Sequence, residues 1–378
     1  MIRSEAGAGR ERRYRAEDIE RLIQRRERDT AGAALDWGAP VLDSAITAIG
    51  PHGPCYRGRD ALRLAREASV REVAGLLWQS DAAGVFAADN LPQIEPSWRA
   101  LEIAASDLPA LERCLAVLPH AAASDVRAYD LSPTAVAMTG ARILRLLAGI
   151  IGARAPSLRP IDAVLADAWR AGTQGRQLLR AATILCADHE FNVSAFTVRC
   201  VASAGASPYL AVLAGLAALR GQRHGAMTER AGAFLETVLA VPDIAREVAD
   251  RLRRGEAPPG FGHPLYPEGD PRARLLLDLL EEAQSGVAAT ARRVAAAVTA
   301  ATGQLPNIDW ALGVLARHLQ LEPGAVLGVF ALGRAIGWIA HAQEQYASGR
   351  LIRPRARYVG LPLEQNPREA GVEPHSHA

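Results

Sequence analysis

The stretch "GAVLGVFALGRAIGWIAHA", Gly324 to Ala342, sets the hardest condition on any fold of this chain. It is apolar and almost long enough to cross a bilayer, yet Arg334 stands near its middle. A charge at that depth in lipid is costly, so the segment reads as a helix buried inside a protein. That reading brings a second demand. A guanidinium taken out of water needs an anion, and the nearest following carboxylate in the sequence, Glu344, is ten residues further along the chain. Arg334 therefore points to a carboxylate-bearing ligand.

A helix buried on all sides needs other helices around it, and the chain supplies them. From about residue 59 onward, apolar positions recur at helical spacing. They do so in "REASVREVAGLLWQ", "PYLAVLAGLAALRG", "DIAREVADRLRRG", "DPRARLLLDLLEEAQ", "SGVAATARRVAAAVTAATG" and "DWALGVLARHLQ". Ala, Leu and Arg are strong helix formers, and alternating segments are almost absent after residue 60. Pro271 suits a first helical turn. Strands are expected only earlier, where Val41, Ile46 and Ile49 lie among Gly and Pro breaks. The expected fold class is all-α with minor N-terminal strands. A softer break falls near 220–228, in "RGQRHGAMTE".

Residues 1–30 have a different character. Nine arginines stand against seven acids there, which accounts for the whole formal charge of +2. Asp18, Ile19, Leu22 and Ile23 suggest a short amphipathic helix. So small a net charge gives no ground for a nucleic-acid or membrane partner. The chain has no lysine, so every cationic site must use arginine or histidine. Cys55, Cys114, Cys186 and Cys200 are scattered without a paired motif, as expected of buried thiols in a reducing compartment. No signal-peptide pattern opens the sequence, and a cytoplasmic location is expected.

Chemistry is narrowed mainly by what is missing. There is no dinucleotide fingerprint after a strand, no phosphate loop, no nucleophile elbow and no metal-ligand spacing of histidines, so no metal is expected. Polar groups stand out at four places. His189 lies between Asp188 and Glu190, and His224 follows a glycine-broken helix end. His263 sits in the stiff loop "PPGFGHPLYPEGDPRA", nine residues before Arg272. Asp309 opens a helix in "LPNIDWALGVLARHL". Each has a plainer reading: a core histidine for His189, a dipole complement for His224, an N-cap for Asp309. His263 resists one, because a residue before proline is held extended and its ring is aimed by the backbone. Arg353 and Arg355, around Pro354, offer further anion forks.

Together these pieces resemble the citrate synthase family. The resemblance runs in order through "DSAITAIGPHGPCYRGRDALRLAREASVREVAGLLW", "ADHEFNVSAFTVRCVASAGASPYLAVLAGLAALRGQRHG", "GFGHPLYPEGDPRA", "NIDW" and "ALGRAIGWIAHAQEQYASGRLIRPRARYVG". It covers roughly residues 35–362. It implies an all-α fold with a large helical domain (31–225 and 337–378) and a smaller closing one (226–336). By the same resemblance His224 would hydrogen-bond the thioester carbonyl of acetyl-CoA, Asp309 would remove the methyl proton, and His263 would polarise the ketone of oxaloacetate. His189, Arg272, Arg334 and Arg353 would bind the dicarboxylate, Arg353 reaching across a homodimer. Gly260, Phe261 and Gly262 would form a loop for CoA. The activity implied is citrate synthesis without a metal or prosthetic group. Use of propionyl-CoA for 2-methylcitrate, or a regulatory homologue that binds metabolites with little turnover, are the alternatives.

Two departures matter. The family commonly reads HGGANE after its first catalytic histidine, whereas this chain has "HGAMTE", with Ala226 and Thr228 replacing a glycine and an asparagine. The loop around His224 is therefore expected to sit or move differently. In addition, "IRSEAGAGRERRYRAEDIERLIQRR" is similar to the wing and following helix of a MerR-type winged helix-turn-helix without its recognition helix. Without that helix, DNA binding is not expected.

Overall fold

A computed structural model of the chain describes residues 4–6, 12–14, 42–50, 52–93, 95–354 and 360. The helix expected at Asp18–Ile23, Val41 and Arg355 lie outside these residues. Of residues 1–30, the described backbone forms one antiparallel hairpin, β1 (Ser4–Ala6) with β2 (Arg12–Tyr14). Then come β3 (Thr47–Gly50), β4 (Gly53–Tyr56) and β5 (Arg59–Asp60). They make a small antiparallel sheet, with Thr47 opposite Tyr56 and Gly50 opposite Gly53. These are the short extended pieces expected around Ile46 and Ile49. The Tyr56-Arg57-Gly58 turn closes through left-handed φ values of 46° and 79° at Arg57 and Gly58.

Sixteen α-helices follow among the described residues. The first eight are α1 (Ala61–Glu67), α2 (Val70–Trp78), α3 (Ala82–Val85), α4 (Pro96–Ala104), α5 (Ala110–Ser124), α6 (Pro133–Ile151), α7 (Ile161–Ala168) and α8 (Gly172–Leu185). The second eight are α9 (Val193–Ser203), α10 (Pro208–Leu219), α11 (Ala226–Leu239), α12 (Ile244–Arg253), α13 (Pro271–Glu282), α14 (Ala288–Thr302), α15 (Ile308–His318) and α16 (Ala325–Ser348). Their boundaries follow local chemistry. Ser69 and Glu72 form a capping box on α2, Asn192 caps α9, and Asp270 with Pro271 at the first position starts α13.

The segment that constrained the fold is α16, and it is central. Every residue from Ala325 to Gln343 is buried, against helices α2, α5, α6, α8, α9 and α10. Two glycines set how closely it lies on the end of α8. A Cβ added at Gly333 would stand 2.4 Å from the Thr183 carbonyl oxygen, and one at Gly337 would stand 2.3 Å from that of Ala187. Gly337 N–H donates to Ala187 O at 3.0 Å. This backbone-to-backbone contact brings Arg334, between the two glycines, to the Cys186–His189 segment.

Helices α11 to α15 pack mainly on one another: α11 and α13 on α15, and α12 on α14. The turn at 220–225 separates them from α10, close to the break expected at 220–228. The boundary expected between residues 336 and 337 falls within α16, which runs unbroken from Ala325 to Ser348.

Candidate active site

The stiff loop is stiff because it is fastened to the start of another helix. Gly260 and Gly262 take φ values of 88° and 75°, which side chains rarely adopt. A Cβ on Gly260 would also lie 3.0 Å from Ala231 and Trp310. Gly262 N–H donates to Leu305 O at 2.8 Å, Asn307 N–H to Gly260 O at 2.9 Å, and Asn307 Nδ2 to Gly262 O at 2.9 Å. Asn307 then caps α15 by accepting the Asp309 N–H at 3.0 Å. Asp309 is therefore not the N-cap that its position allowed, and its carboxylate is free for other work. Phe261 is buried with its ring centroid 5.0 Å from that of Trp310. It and Gly260 pack the core, while Gly262 stays half-buried.

Asp270 ties the loop to both helices. It caps α13 at Arg272 N–H (3.0 Å), and its Oδ2 accepts the Ile308 N–H that begins α15 (3.0 Å). It also holds the Arg272 guanidinium in a fork, from Nε at 2.9 Å and Nη2 at 2.8 Å. Burial alone would weaken the Arg272 cation, but this carboxylate outweighs it and raises the pKa above the ordinary arginine value. Two of its nitrogens are thus engaged, and Nη1 remains for a ligand.

The histidines are held as neutral rings. His263 Nδ1 accepts the Leu265 N–H at 3.2 Å, which leaves the proton on Nε2. Its pKa lies below the ordinary value because of burial and then the Arg272 field. His189 is buried, with Nε2 2.8 Å from the Tyr266 hydroxyl and its ring edge-on to His263 at 5.1 Å. Burial and then the Arg272, Arg334 and His263 fields push its pKa well below the ordinary range. His224 lies in the turn before α11, and burial followed by the Arg334 field lowers it to about 4. Its Nε2 is 2.8 Å from Ser194 Oγ. Trp338 Nε1 can only donate to that oxygen (3.3 Å), and Asn192 Oδ1, 2.6 Å away, already accepts two backbone N–H groups. At that separation the hydroxyl proton lies between the two oxygens, so Ser194 donates to Asn192 Oδ1 and accepts from Trp338 Nε1 and from His224 Nε2. This places the proton of the neutral His224 ring on Nε2.

Arg334 and Asp309 complete the cluster. Arg334 is 2% exposed and lies over the Phe330 ring at 5.2 Å. Its Nε and Nη1 are buried without a hydrogen-bond partner among the described residues. Burial lowers its pKa, and the Asp188 field only partly opposes this. Asp188 itself is bonded to His341 Nε2 at 3.1 Å. Asp309 is raised to about 6, chiefly by burial, with the Thr228 hydroxyl and Arg272 pulling the other way.

Sequence reasoning thus named His189, His224, His263, Arg272, Asp309 and Arg334, and the fold gathers all six. Arg353 is not gathered with them in the single chain: it is exposed, five residues beyond α16. Of the groups that orient the site, Ser194, Tyr266 and Asp270 were not named, and Thr228 was named only as a departure in the loop around His224. Asp270 had a local signal, since an aspartate before a proline at a helix start is a capping pattern. Ser194 had none, because its partner lies 30 residues away.

A raised carboxylate, three histidines held neutral and two buried arginines, set in an all-α fold, are groups able to move a proton and to pair with an anion. Residues 34–355 match the family model described as citrate synthase, C-terminal domain. A citrate synthase of Haloferax volcanii is 30% identical over 358 residues, covering 85% of this chain and 94% of that one. Citrate synthase 2 of Bacillus subtilis is 33% identical over 49% of this chain and 52% of its own. A 2-methylcitrate synthase of Mycobacterium tuberculosis is 34% identical over 47% and 46%. The chain spans about half the length of most of the curated relatives it matches. Among solved structures, a citrate synthase of Thermotoga maritima superposes with a TM-score of 0.74 at 22% identity, over 89% of this chain and 98% of that one. A Thermoplasma acidophilum citrate synthase in ternary complex with carboxymethyl coenzyme A and oxaloacetate gives 0.75 at 22% identity, over 87% and 96%. The chain belongs to the citrate synthase family.

Proposed function

We propose that this protein condenses an acyl-CoA, acetyl-CoA in the first instance, with oxaloacetate and water to give citrate and CoA. The observation that carries the reading is Asp309: a half-buried carboxylate raised to about 6 is a stronger base than an ordinary aspartate, yet largely ionised at neutral pH. A thioester methyl is a very weak carbon acid, so the base needs help at the oxygen where charge develops. A neutral His224 would supply that hydrogen bond to the forming enolate from Nδ1–H once the Ser194 hydroxyl turns from Asn192 Oδ1 to Nε2. The enolate carbon would attack the oxaloacetate ketone as His263 Nε2–H gives its hydrogen bond, then its proton, to the ketone oxygen. Water would hydrolyse the resulting thioester.

The two carboxylates of oxaloacetate suit Arg334, whose two unpartnered nitrogens face inward, and the remaining nitrogen of Arg272, with His189 beside them. The likeness to a structure holding oxaloacetate and a CoA analogue supports this assignment. Arg353 from a second copy, and closure of the 226–324 helices over the site, would complete the clamp and exclude water during enolisation. An acyl-CoA would meet the central loop at Gly262 and His263, since Gly260 and Phe261 are buried. Propionyl-CoA is the second reading: a 2-methylcitrate synthase matches at 34% identity, between the 33% and 36% of two citrate synthases over similar spans.

The test is release of the CoA thiol with oxaloacetate, offering acetyl-CoA and propionyl-CoA in parallel. Turnover with acetyl-CoA, lost by a thousandfold or more in Asp309→Asn with oxaloacetate affinity retained, is the expected outcome. A higher specificity constant for propionyl-CoA would move the assignment to 2-methylcitrate. No release with either, from folded protein, would leave a metabolite-binding homologue.

A further inference from the structure

The departure from the common loop pattern at Thr228 falls on the base itself. Thr228 is in the first turn of α11 and fully buried, and its hydroxyl donates a hydrogen bond to Asp309 Oδ1. The contact is built by the helices. One turn further along each, Gly313 of α15 lies against Gly232 of α11, where an added Cβ would stand 3.1 Å from the Gly232 nitrogen. Thr228 with Gly232, and Asp309 with Gly313, are both four residues apart and so share a face of their helices. The bare glycine contact draws the two helix starts together until a threonine-sized side chain spans the gap.

We propose that Thr228 is a positioning residue for the catalytic base: its hydroxyl holds Asp309 Oδ1 and reserves Oδ2 to receive the substrate proton. This rests on the reading of Asp309 as the base of a condensation. A carboxylate that rotated freely would present either oxygen, and its orientation would have to be fixed anew at each turnover. The groups facing Asp309 are Arg272 and Asp270 from α13, Arg334 from α16, Cys186 from the end of α8, and Thr228 from α11. Among the described residues, Thr228 supplies the side-chain hydrogen bond to it. The same bond opposes the effect of burial and keeps the carboxyl from rising further. A threonine donates only a hydrogen bond here and changes no covalent bond, so the proton balance of the reaction is unaltered.

The experiment compares wild type with Thr228→Val, which keeps the shape without the hydroxyl, and Thr228→Ser, which keeps the hydroxyl. Thr228→Ala replaces the valine variant if that does not fold. Asp309 is titrated directly by carbon NMR of aspartate-labelled protein, its signal assigned by its loss in Asp309→Asn. Valine is expected to raise the Asp309 midpoint by half a pH unit or more. It should lower kcat tenfold or more, with KM for oxaloacetate within twofold, and serine should restore both. A valine variant titrating and turning over like wild type overturns the proposal, as does a serine variant as impaired as valine. If wild type itself releases no CoA, the condensation reading fails, and the catalytic role assigned to Thr228 falls with it. The titration then separately decides whether the hydrogen bond sets the carboxyl.

Discussion

Two helices of this protein carry the same conflict and settle it differently. Both α6 and α16 are apolar enough to pass for membrane spans, and both hold arginines that are 2% exposed: Arg142 and Arg145 in α6, Arg334 in α16. Arg142 of α6 is fully answered by protein: Nε meets Asp125 Oδ2 at 2.6 Å, Nη1 meets Asn90 Oδ1 at 2.7 Å, and Nη2 meets Thr139 Oγ1 at 2.7 Å. The Tyr209 hydroxyl donates to the same Asp125 oxygen at 3.1 Å. Arg334 of α16 has an aromatic face and a distant carboxylate, with two nitrogens unpartnered among the described residues. Burial alone therefore does not mark a functional arginine. Arg145, the second buried arginine of α6, has no carboxylate either, but its Nη1 and Nη2 donate to the carbonyls of Ala87, Asn90 and Phe86. What distinguishes Arg334 is that the described residues give it neither a bonded anion nor acceptors for its Nε and Nη1.

The contrast should break hardest at Arg142. Replacing it with alanine leaves the half-buried Asp125 with only Arg127 and the Tyr209 hydroxyl, a loss of about 3 kcal/mol, the low end for a buried pair. Chemical unfolding should show it, while the folded fraction should bind oxaloacetate as wild type does. A variant with unchanged stability would mean that the Arg142 cluster holds nothing together. Arg334→Met should do the reverse. Removing a desolvated cation that has no protein anion should leave stability unchanged or raise it, while oxaloacetate affinity falls about a hundredfold, or roughly 3 kcal/mol. Calorimetry decides this: equal affinity in wild type and variant would remove Arg334 from the ligand site.

Asp309→Asn offers a smaller test of the same idea. A carboxyl raised to about 6 from 3.8 is strained at neutral pH, so its removal should stabilise the ligand-free protein by about 1–3 kcal/mol. A lower melting temperature for the variant would contradict that. The smallest effect should appear with pH. His189, His224 and His263 have folded pKa values below the ordinary 6.5, His224 at about 4. The unfolded chain therefore binds more protons, and their contribution to stability, present above 6.5, is lost as pH falls toward 4. Asp309, raised, binds its proton in the folded state over part of that range and offsets one histidine of the three. At Asp125, burial raises the pKa but Arg142 outweighs it and holds it below 3.8, so that cluster should persist to lower pH. His224→Gln should flatten the fall in unfolding midpoint between pH 6.5 and 4. An unchanged slope would show that His224 is not held neutral.

Much of the fold was legible because its determinants are local or periodic. Helical spacing, strong helix formers and capping residues such as Asp270 before Pro271 identify helices wherever they end up in space. The conflict between an apolar run and Arg334 required a buried central helix and hinted at an anionic ligand. Other features have no local trace. The glycine contacts that lay α16 on the end of α8 depend on backbone atoms well over a hundred residues apart in the chain.

At the site, the sequence by itself determined the residue types: histidines in stiff turns, a carboxylate at a helix start, and an arginine that needed an anion. Only the tertiary structure decided their states. Asn307 takes the capping role and leaves the Asp309 carboxylate to the site, Asp270 occupies two nitrogens of Arg272, and Ser194 and Leu265 set which nitrogen of each histidine holds its proton. Those choices follow from desolvation and from hydrogen bonds between distant segments. Both arise only when the chain has folded, because a side chain's charge and tautomer are fixed by its neighbours in space.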